Sequence, residues 1–303
     1  MTDSAPHDRA RPVAVIVGAS SGIGRATAAR LARDGWDLVL AARSPQPLTE
    51  AADECRSAGA TVLTVPTDVS DADAVTELFT AATRRFGRLD AVVHTAAAVG
   101  YGRFTDVPAE VFERAITTNL LGTARVARAA LTHFEDHGRG RLVVIGSLLG
   151  KIVVPTMGTY VVGKWGVHAL VRTLQIEYRD RAGIEISLLS PGSVNTPAYT
   201  QAANYVGWEG RPPPPIAQPE KAAAAIAGLL RRPRRDRPVN LTNHLAVLGF
   251  RVLPGLFDRL VGPLARYGTT SRRTVPPSAG SVLAPNPDGH ATRSRWTPTA
   301  WFR

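Results

Sequence analysis

The chain has 303 residues, 44% hydrophobic and 20% charged, which is enough apolar material for one domain with a sizeable core and excludes a disordered chain. A single cysteine, Cys55, excludes an internal disulfide and offers no metal-ligand spacing. The formal net charge of +11 resembles a nucleic-acid binder's, yet residues 1–220 balance at 22 basic and 22 acidic side chains, and the whole excess lies in residues 221–303, with 14 basic and 3 acidic.

Residues 1–11 are polar, lack the apolar core of a secretory signal and read as a frayed tail. Val13-Ala14-Val15-Ile16-Val17 is a short, mostly β-branched apolar run, as in a buried parallel strand. It leads into Gly18-Ala19-Ser20-Ser21-Gly22-Ile23-Gly24, and residues 25–33 then suit a helix. Strand, glycine turn and helix form one phosphate-binding unit: glycines let the backbone approach a pyrophosphate, whose charge the helix N-terminus holds. A second strand, residues 37–41, ends in Ala42-Arg43-Ser44. An acid at this end takes the ribose hydroxyls of NAD, whereas an arginine suits the extra phosphate of NADP. Ala41 and Ala42 supply no acid and Arg43 supplies the cation, so NADP is favoured over NAD. Cys55, among Ala51, Ala52 and Ala58, reads as an ordinary helix residue.

A third strand, residues 61–65, precedes Thr67-Asp68-Val69, and a fourth, residues 90–93, precedes His94-Thr95-Ala96-Ala97. Asn119 stands before Leu120-Leu121-Gly122, where it could cap a turn, and Ser147 follows a strand at residues 142–145. Tyr160 and Lys164 are four residues apart, hence on one face of a helix. A free phenol titrates near 10, and a fixed ammonium beside it favours the phenolate, so Lys164 is expected to bring Tyr160 toward a useful range as an acid and base. With Ser147 thirteen positions before Tyr160, the spacing reads as a carbonyl-reducing site.

Over residues 13 to about 197 the chain resembles the short-chain dehydrogenase/reductase family. Gly18, Gly22 and Gly24 fit its cofactor turn, Asp68 its adenine-contacting acid, and Asn119, Ser147, Tyr160 and Lys164 its catalytic tetrad in order and spacing. Pro191-Gly192-Ser193-Val194-Asn195-Thr196 is similar to its nicotinamide-covering segment. The resemblance implies an α/β fold, a single doubly wound parallel sheet (Rossmann fold) with helices on both faces, over residues 12–237. It implies a homo-oligomer, dimer or tetramer, and cofactor contacts from Gly18, Ser20, Ser21, Gly22, Ile23, Gly24, Arg43, Asp68, Val69, Ala96, Asn119, Tyr160, Lys164, Pro191, Gly192, Val194 and Thr196, with no metal. In that reading Ser147 holds the substrate oxygen, Tyr160 moves its proton, Lys164 also meets the nicotinamide ribose, and Asn119 holds a kinked helix and a water that links Lys164 to solvent. Two departures occur together: Val17 replaces the usual threonine, and His94-Thr95-Ala96-Ala97 replaces Asn-Asn-Ala-Gly. A locally rebuilt contact is expected, with His94 on the adenine side rather than at the chemistry.

In the family the segment after residue 196 covers the substrate, here Pro197 to about Arg211. Tyr199, Tyr205, Val206 and Trp208, with Val99, Tyr101, Leu148, Leu149 and Val154, describe a pocket for an apolar alcohol or ketone and disfavour a small acid. Arg211-Pro212-Pro213-Pro214-Pro215 reads as a stiff edge to that loop. The run from Arg231 to Arg237 reads as a solvated loop; it has no aromatic stacking platform, which argues against nucleic acid.

Residues 238–303 form a C-terminal extension. Its first part, residues 241–267, carries Leu241, Leu245, Leu248, Val252, Leu256, Leu260 and Leu264 at helical spacing, with Pro254 and Pro263 expected to break it into short pieces. The stripe is expected to pack on protein, with an anionic membrane surface as the alternative. Residues 268–303, rich in Pro, Ser, Thr and Gly with Trp296 and Trp301, cannot fold alone; disorder or docking on a neighbouring subunit is expected. The whole reads as a cytoplasmic NADP-dependent oxidoreductase, membrane-associated if the stripe meets lipid; the alternative is an NADP-binding sensor or scaffold acting through the basic extension.

Overall fold

Alternate residues of each buried strand face opposite layers of helices, which is why the strands are apolar throughout. The computed structural model describes residues 11–240, 242–286 and 289–296; residues 1–10 of the expected tail, Leu241 and Trp301 lie outside them. In chain order the first half runs β1 (Val13–Val17), α1 (Gly22–Arg33), β2 (Asp37–Ala42), α2 (Pro45–Ser57), β3 (Val62–Pro66), α3 (Ala72–Phe86), β4 (Ala91–His94), β5 (Gly100–Tyr101) and α4 (Ala109–Ile116). A π-helical turn (Thr117–Leu121) joins α4 to α5 (Gly122–His137), followed by β6 (Gly140–Ile145), α6 (Gly158–Glu177) and β7 (Ile184–Ser190). Then come β8 (Ala203–Asn204), β9 (Trp208–Gly210), α7 (Pro219–Arg231), β10 (Asp236–Pro238), α8 (Thr242–Val252), α9 (Pro254–Thr269) and β11 (Thr270–Thr274).

Seven parallel strands form the main sheet in the order β10-β7-β6-β4-β1-β2-β3. Ala14, Ile16, Leu38 and Leu40 pack with Leu31 of α1, Leu48 of α2 and Ile226 of α7. Val13, Val15, Val17 and Val39 face the other way, into Leu78 of α3, Phe134 of α5 and Val167 of α6. The chain winds outward in both directions from β1 and β4, so a crevice opens at their carboxyl ends, the ligand position of an open α/β sheet. The arginine run is only partly the expected solvated loop: Asp236–Pro238 is the edge strand β10, paired to β7, and Asp236 meets Lys151.

The extension departs from its sequence reading in three ways. Pro254 does separate α8 from α9, but Pro263 stays inside α9; Arg259, whose carbonyl the proline cannot serve, lies on the exposed side where water can. Phe250 meets Trp165 and Phe257, whereas Leu245 (71% exposed), Leu248, Val252, Leu256, Leu260 and Leu264 are largely exposed. Residues 270–296, where described, lie on their own chain: β11 pairs antiparallel with β9, Ser278 bridges to Asn204, and Val282 is fully buried beside Ala98, Val111, Ala115 and Ala203. Among the described residues no helix is long and apolar enough to cross a membrane.

Candidate active site

The glycine turn sits on the end of β4 so closely that side chains do not fit. A Cβ on Gly18 (φ +88°) would lie 2.5 Å from Thr95 Oγ1 and 2.7 Å from the Ala96 nitrogen, and one on Gly24 would lie 2.0 Å from the Gly18 oxygen. Thr95 Oγ1 donates to the Val17 carbonyl at 2.8 Å and reaches the Gly18 carbonyl at 3.2 Å. The turn is thus tied to β4 through Thr95, with Val17 contributing only its backbone, a rebuilt contact of the kind the paired departures suggested.

At the other edge of the turn stand Arg43 and Asp68. Burial lowers the Arg43 guanidinium below its ordinary range, with Asp68 opposing and Arg114 adding to the shift. Asp68 Oδ1 accepts from the Ser70 N–H (2.9 Å) and hydroxyl (2.7 Å), and Oδ2 pairs with Arg114 at 2.6 Å. Burial alone would raise this carboxyl; the Ser70 bonds and the two arginines outweigh it and hold it below the ordinary range.

Across the crevice, Ser147 stands two residues past the end of β6, and its oxygen accepts the Leu149 N–H at 3.1 Å. Tyr160 and Lys164 share one face of α6, with the ammonium 5.7 Å from the centre of the phenol ring. Lys164 is 2% exposed and donates to the Ile145 carbonyl at 2.7 Å; burial lowers it to about 8. The expected lowering of Tyr160 is not what this arrangement gives: burial raises the phenol, and the hydrogen bond with Ser147 only partly opposes it. The ammonium is turned to a backbone carbonyl, so desolvation wins.

Asn119 lies in the π-turn, fully buried, with Oδ1 accepting the Ala98 N–H and Nδ2 donating to the Ala98 carbonyl, each at 2.8 Å. It braces the segment after β4 from behind. His94 also differs from its sequence reading. It is buried, its ring nitrogens have no partner, and burial followed by the charge of Lys164 lowers it to about 3. It is a neutral imidazole near Lys164.

One cavity of 550 Å³ joins these parts. Its wall includes Ser147, Tyr160 and Lys164, and every expected cofactor residue except Asn119: Gly18, Ser20, Ser21, Gly22, Ile23, Gly24, Arg43, Asp68, Val69, Ala96, Pro191, Gly192, Val194 and Thr196. Val99, Tyr101, Leu148, Leu149, Val154 and Tyr199 line it as expected, and Pro213 supplies the stiff edge. Tyr205 and Val206 pack into small clusters behind the wall, and Trp208 is 43% exposed in β9. The extension contributes what sequence reading missed: Ala246, Val261, Leu264 and Ala265 at the apolar end, and Ser281, Pro285, Asn286 and His290 beside the glycine turn. The helical leucine spacing signalled a cover without saying what it covers; the tail carried no signal.

Comparison with known proteins agrees with this geometry. The short chain dehydrogenase family matches residues 12–205. An uncharacterized oxidoreductase of Bacillus subtilis (strain 168), YxnA, is 32% identical over 295 residues, covering 96% of this chain and 82% of the relative. An uncharacterized oxidoreductase of Staphylococcus aureus (strain USA300) is 34% identical over 206 residues, covering 68% of this chain and 87% of the relative. Among solved structures, an alcohol dehydrogenase from the archaeon Thermococcus sibiricus, complexed with 5-hydroxy-NADP, is 35% identical with a TM-score of 0.66, covering 75% of this chain and 94% of that one. Levodione reductase is 26% identical with a TM-score of 0.69, covering 78% and 98%. On this fold and these matches, the chain belongs to the short chain dehydrogenase family of oxidoreductases.

Proposed function

We propose that the protein is an NADP(H)-dependent oxidoreductase that interconverts a secondary alcohol and a ketone on an apolar substrate, with Tyr160 as general acid and base. The observation that carries this reading is the single cavity in which Ser147, Tyr160 and Lys164 face an apolar end while the glycine turn and Arg43 line the other. The donor set fits a 2′-phosphorylated dinucleotide: a half-buried guanidinium without an acid at Ala41 or Ala42, and a turn in which Gly18 and Gly24 leave no room for a Cβ. The likeness to an alcohol dehydrogenase complexed with an NADP derivative supports it.

When bound, the nicotinamide exchanges a hydride with the substrate carbon. Ser147 accepts the Leu149 N–H and shares a hydrogen bond with Tyr160, so that its hydroxyl proton can turn to the substrate oxygen when substrate enters between them. Tyr160 gives or takes the proton at that oxygen; its burial keeps the phenol protonated at neutral pH, the form needed for reduction. Lys164, lowered to about 8, remains mostly cationic at neutral pH and close enough to its own titration to pass a proton on. Asn119 positions this end of the site through Ala98. Val99, Leu149, Val154, Met157 and Val261 offer apolar contact and no charged anchor, which selects an apolar ring or chain.

The test is a screen of NADP(H) and NAD(H) against alcohols and ketones, read by absorbance of the reduced cofactor, with Tyr160→Phe beside the unaltered protein. Turnover with apolar ketones and NADPH is expected, lowered roughly a hundredfold or more in Tyr160→Phe. Full turnover in that variant, or a preference for small anionic substrates, overturns the reading.

A further inference from the structure

The described residues of the tail, 278–286 and 289–296, lie over the glycine turn as a strap fixed at both ends. At the near end the Ser278 and Asn204 backbones exchange hydrogen bonds (2.7 and 3.0 Å), the Ser281 N–H donates to the Gln201 carbonyl at 2.8 Å, and Val282 is fully buried. Gly280, at φ +54°, permits this approach: a Cβ there would lie 2.4 Å from the Gln201 oxygen. At the far end the Trp296 N–H donates to Asn195 Oδ1 at 3.2 Å, and Arg293 pairs with Glu220 at 2.9 Å. Asn195 belongs to the segment assigned above to the nicotinamide, so the strap is moored on it.

Between these moorings the strap bonds to the residues that line the dinucleotide end of the cavity. Arg43 Nη2 donates to the Ser281 carbonyl at 2.7 Å, Arg25 Nη1 to the His290 carbonyl at 3.3 Å, and the Gly22 N–H to the Ala291 carbonyl at 3.0 Å. Two consecutive strap carbonyls therefore meet the start of α1, and the His290 side chain lines the same cavity as the glycine turn, on whose helix N-terminus a pyrophosphate would be held. Its Nε2 donates to the Asn286 carbonyl, and its Nδ1 is buried without a partner. With Nε2 turned to Asn286, Nδ1 is the nitrogen left to meet a phosphate oxygen, as a donor when the ring carries both protons. Arg25 cannot take that role, because Glu54 and Glu50 already hold it. Arg43 keeps further donors for a 2′-phosphate while bonded to Ser281, since a guanidinium has five N–H groups.

We propose that residues 278–286 and 289–296 complete the dinucleotide site as a third wall, with His290 binding the diphosphate and Ser281 sharing Arg43 with the 2′-phosphate, so that cofactor enters and leaves only when this strap lifts. This rests on the NADP(H) reading of the cleft. Freeing a mooring removes contacts made around the bound cofactor, so its effect is read in the dissociation rate.

The experiment is NADPH binding by cofactor fluorescence, with equilibrium titration and stopped-flow displacement, on the unaltered chain, His290→Ala, Gly280→Val and Trp296→Ala. The expected result is a dissociation rate raised about tenfold or more in Gly280→Val, which disrupts the near mooring, and in Trp296→Ala, which keeps the backbone bond to Asn195 but loses the buried indole that seats the far end, and a Kd raised about three- to tenfold in His290→Ala, which loses one bond to a charged oxygen. If Gly280→Val does not fold, by circular dichroism, the two other variants decide, because position 290 is partly exposed and Trp296 lies at the end of the strap. Normal NADPH binding by the unaltered chain with all variants within twofold overturns the strap assignment alone. Tighter binding in the freed variants also overturns it, because the strap is then an obstacle rather than a wall. If the unaltered chain binds neither NADPH nor NADH, the cofactor reading falls and this inference with it.

Discussion

Lys164→Met replaces a buried ammonium by an apolar chain of similar length, and the structure gives the size and pH dependence of the effect. Lys164 is 2% exposed, its ammonium has the Ile145 carbonyl as partner, and burial lowers it from the ordinary 10.5 to about 8. Such a shift means the folded state disfavours the charged form by about 3 kcal/mol. Because the folded value lies below the unfolded one, that cost is fully present below pH 8, fades as pH rises from 8 to 10.5 and is absent above. Methionine removes the cost but gives up a hydrogen bond of about 1 kcal/mol. The variant is therefore expected to be more stable than the unaltered protein by about 2 kcal/mol near pH 7, and to lose that advantage by about pH 10.5. His94, which feels Lys164, titrates at about 3 and stays outside the window. Urea midpoints of both proteins at the two pH values measure the difference, in which other titrating groups cancel. A stability difference that does not move with pH refutes the argument. Turnover of Lys164→Met is expected to be lost at both, a stabilising change at the expense of function.

Three further outcomes follow from the same geometry. Asn119→Ala removes both hydrogen bonds to Ala98 in a fully buried setting and is expected to cost about 2–4 kcal/mol, read as a lowered urea midpoint with a parallel loss of turnover; a midpoint shift under about 0.5 kcal/mol counts against the bracing role. Thr95→Val keeps the shape but loses the hydroxyl's bonds to Val17 and Gly18, so thermal stability should fall by about 1 kcal/mol and NADPH bind less tightly; unchanged binding shows that the tie does not hold the turn. Arg43→Ala should weaken NADPH about ten- to hundredfold while leaving NADH within a few fold, in paired fluorescence titrations. Equal losses for both cofactors would trace the effect to the broken Ser281 contact instead of the 2′-phosphate.

The sheet and the glycine turn were legible because their signals are local. An apolar run such as Val13–Val17 followed by closely spaced glycines needs no distant partner to be read, and the expected strands formed within a residue or two of their sequence bounds. Asn119 was named from its place in the chain, but the π-turn that holds it depends on packing: a Cβ on Gly163 would lie 2.8 Å from Asn119 Cβ, and one on Gly166 2.7 Å from Leu120 Cδ2. These glycines let α6 come close to the turn, and no window around residue 119 contains them. The Tyr160 shift ran opposite to its expectation because four-residue spacing reports proximity and says nothing of desolvation. Pro263 misled because its helix is exposed. The strap was unreadable for a simpler reason: its contacts with Gly22, Arg25 and Arg43 use main-chain carbonyls, which any sequence supplies.

Arg25 and the His290 carbonyl to which it is bonded stand 265 residues apart along the chain. Synthesis runs from the N-terminus, so the strands, the glycine turn and α6 leave the ribosome before residues 278–296 are available. During translation the cleft is open on the side of α1. On the strap proposal, a dinucleotide meeting the nascent chain would find no roof, whereas one meeting the finished protein would enter as the strap lifts and be closed in by it. The strap's bonds to α1 are among the longest-range of the described residues, and they can form only once the whole stretch of chain between them has been made.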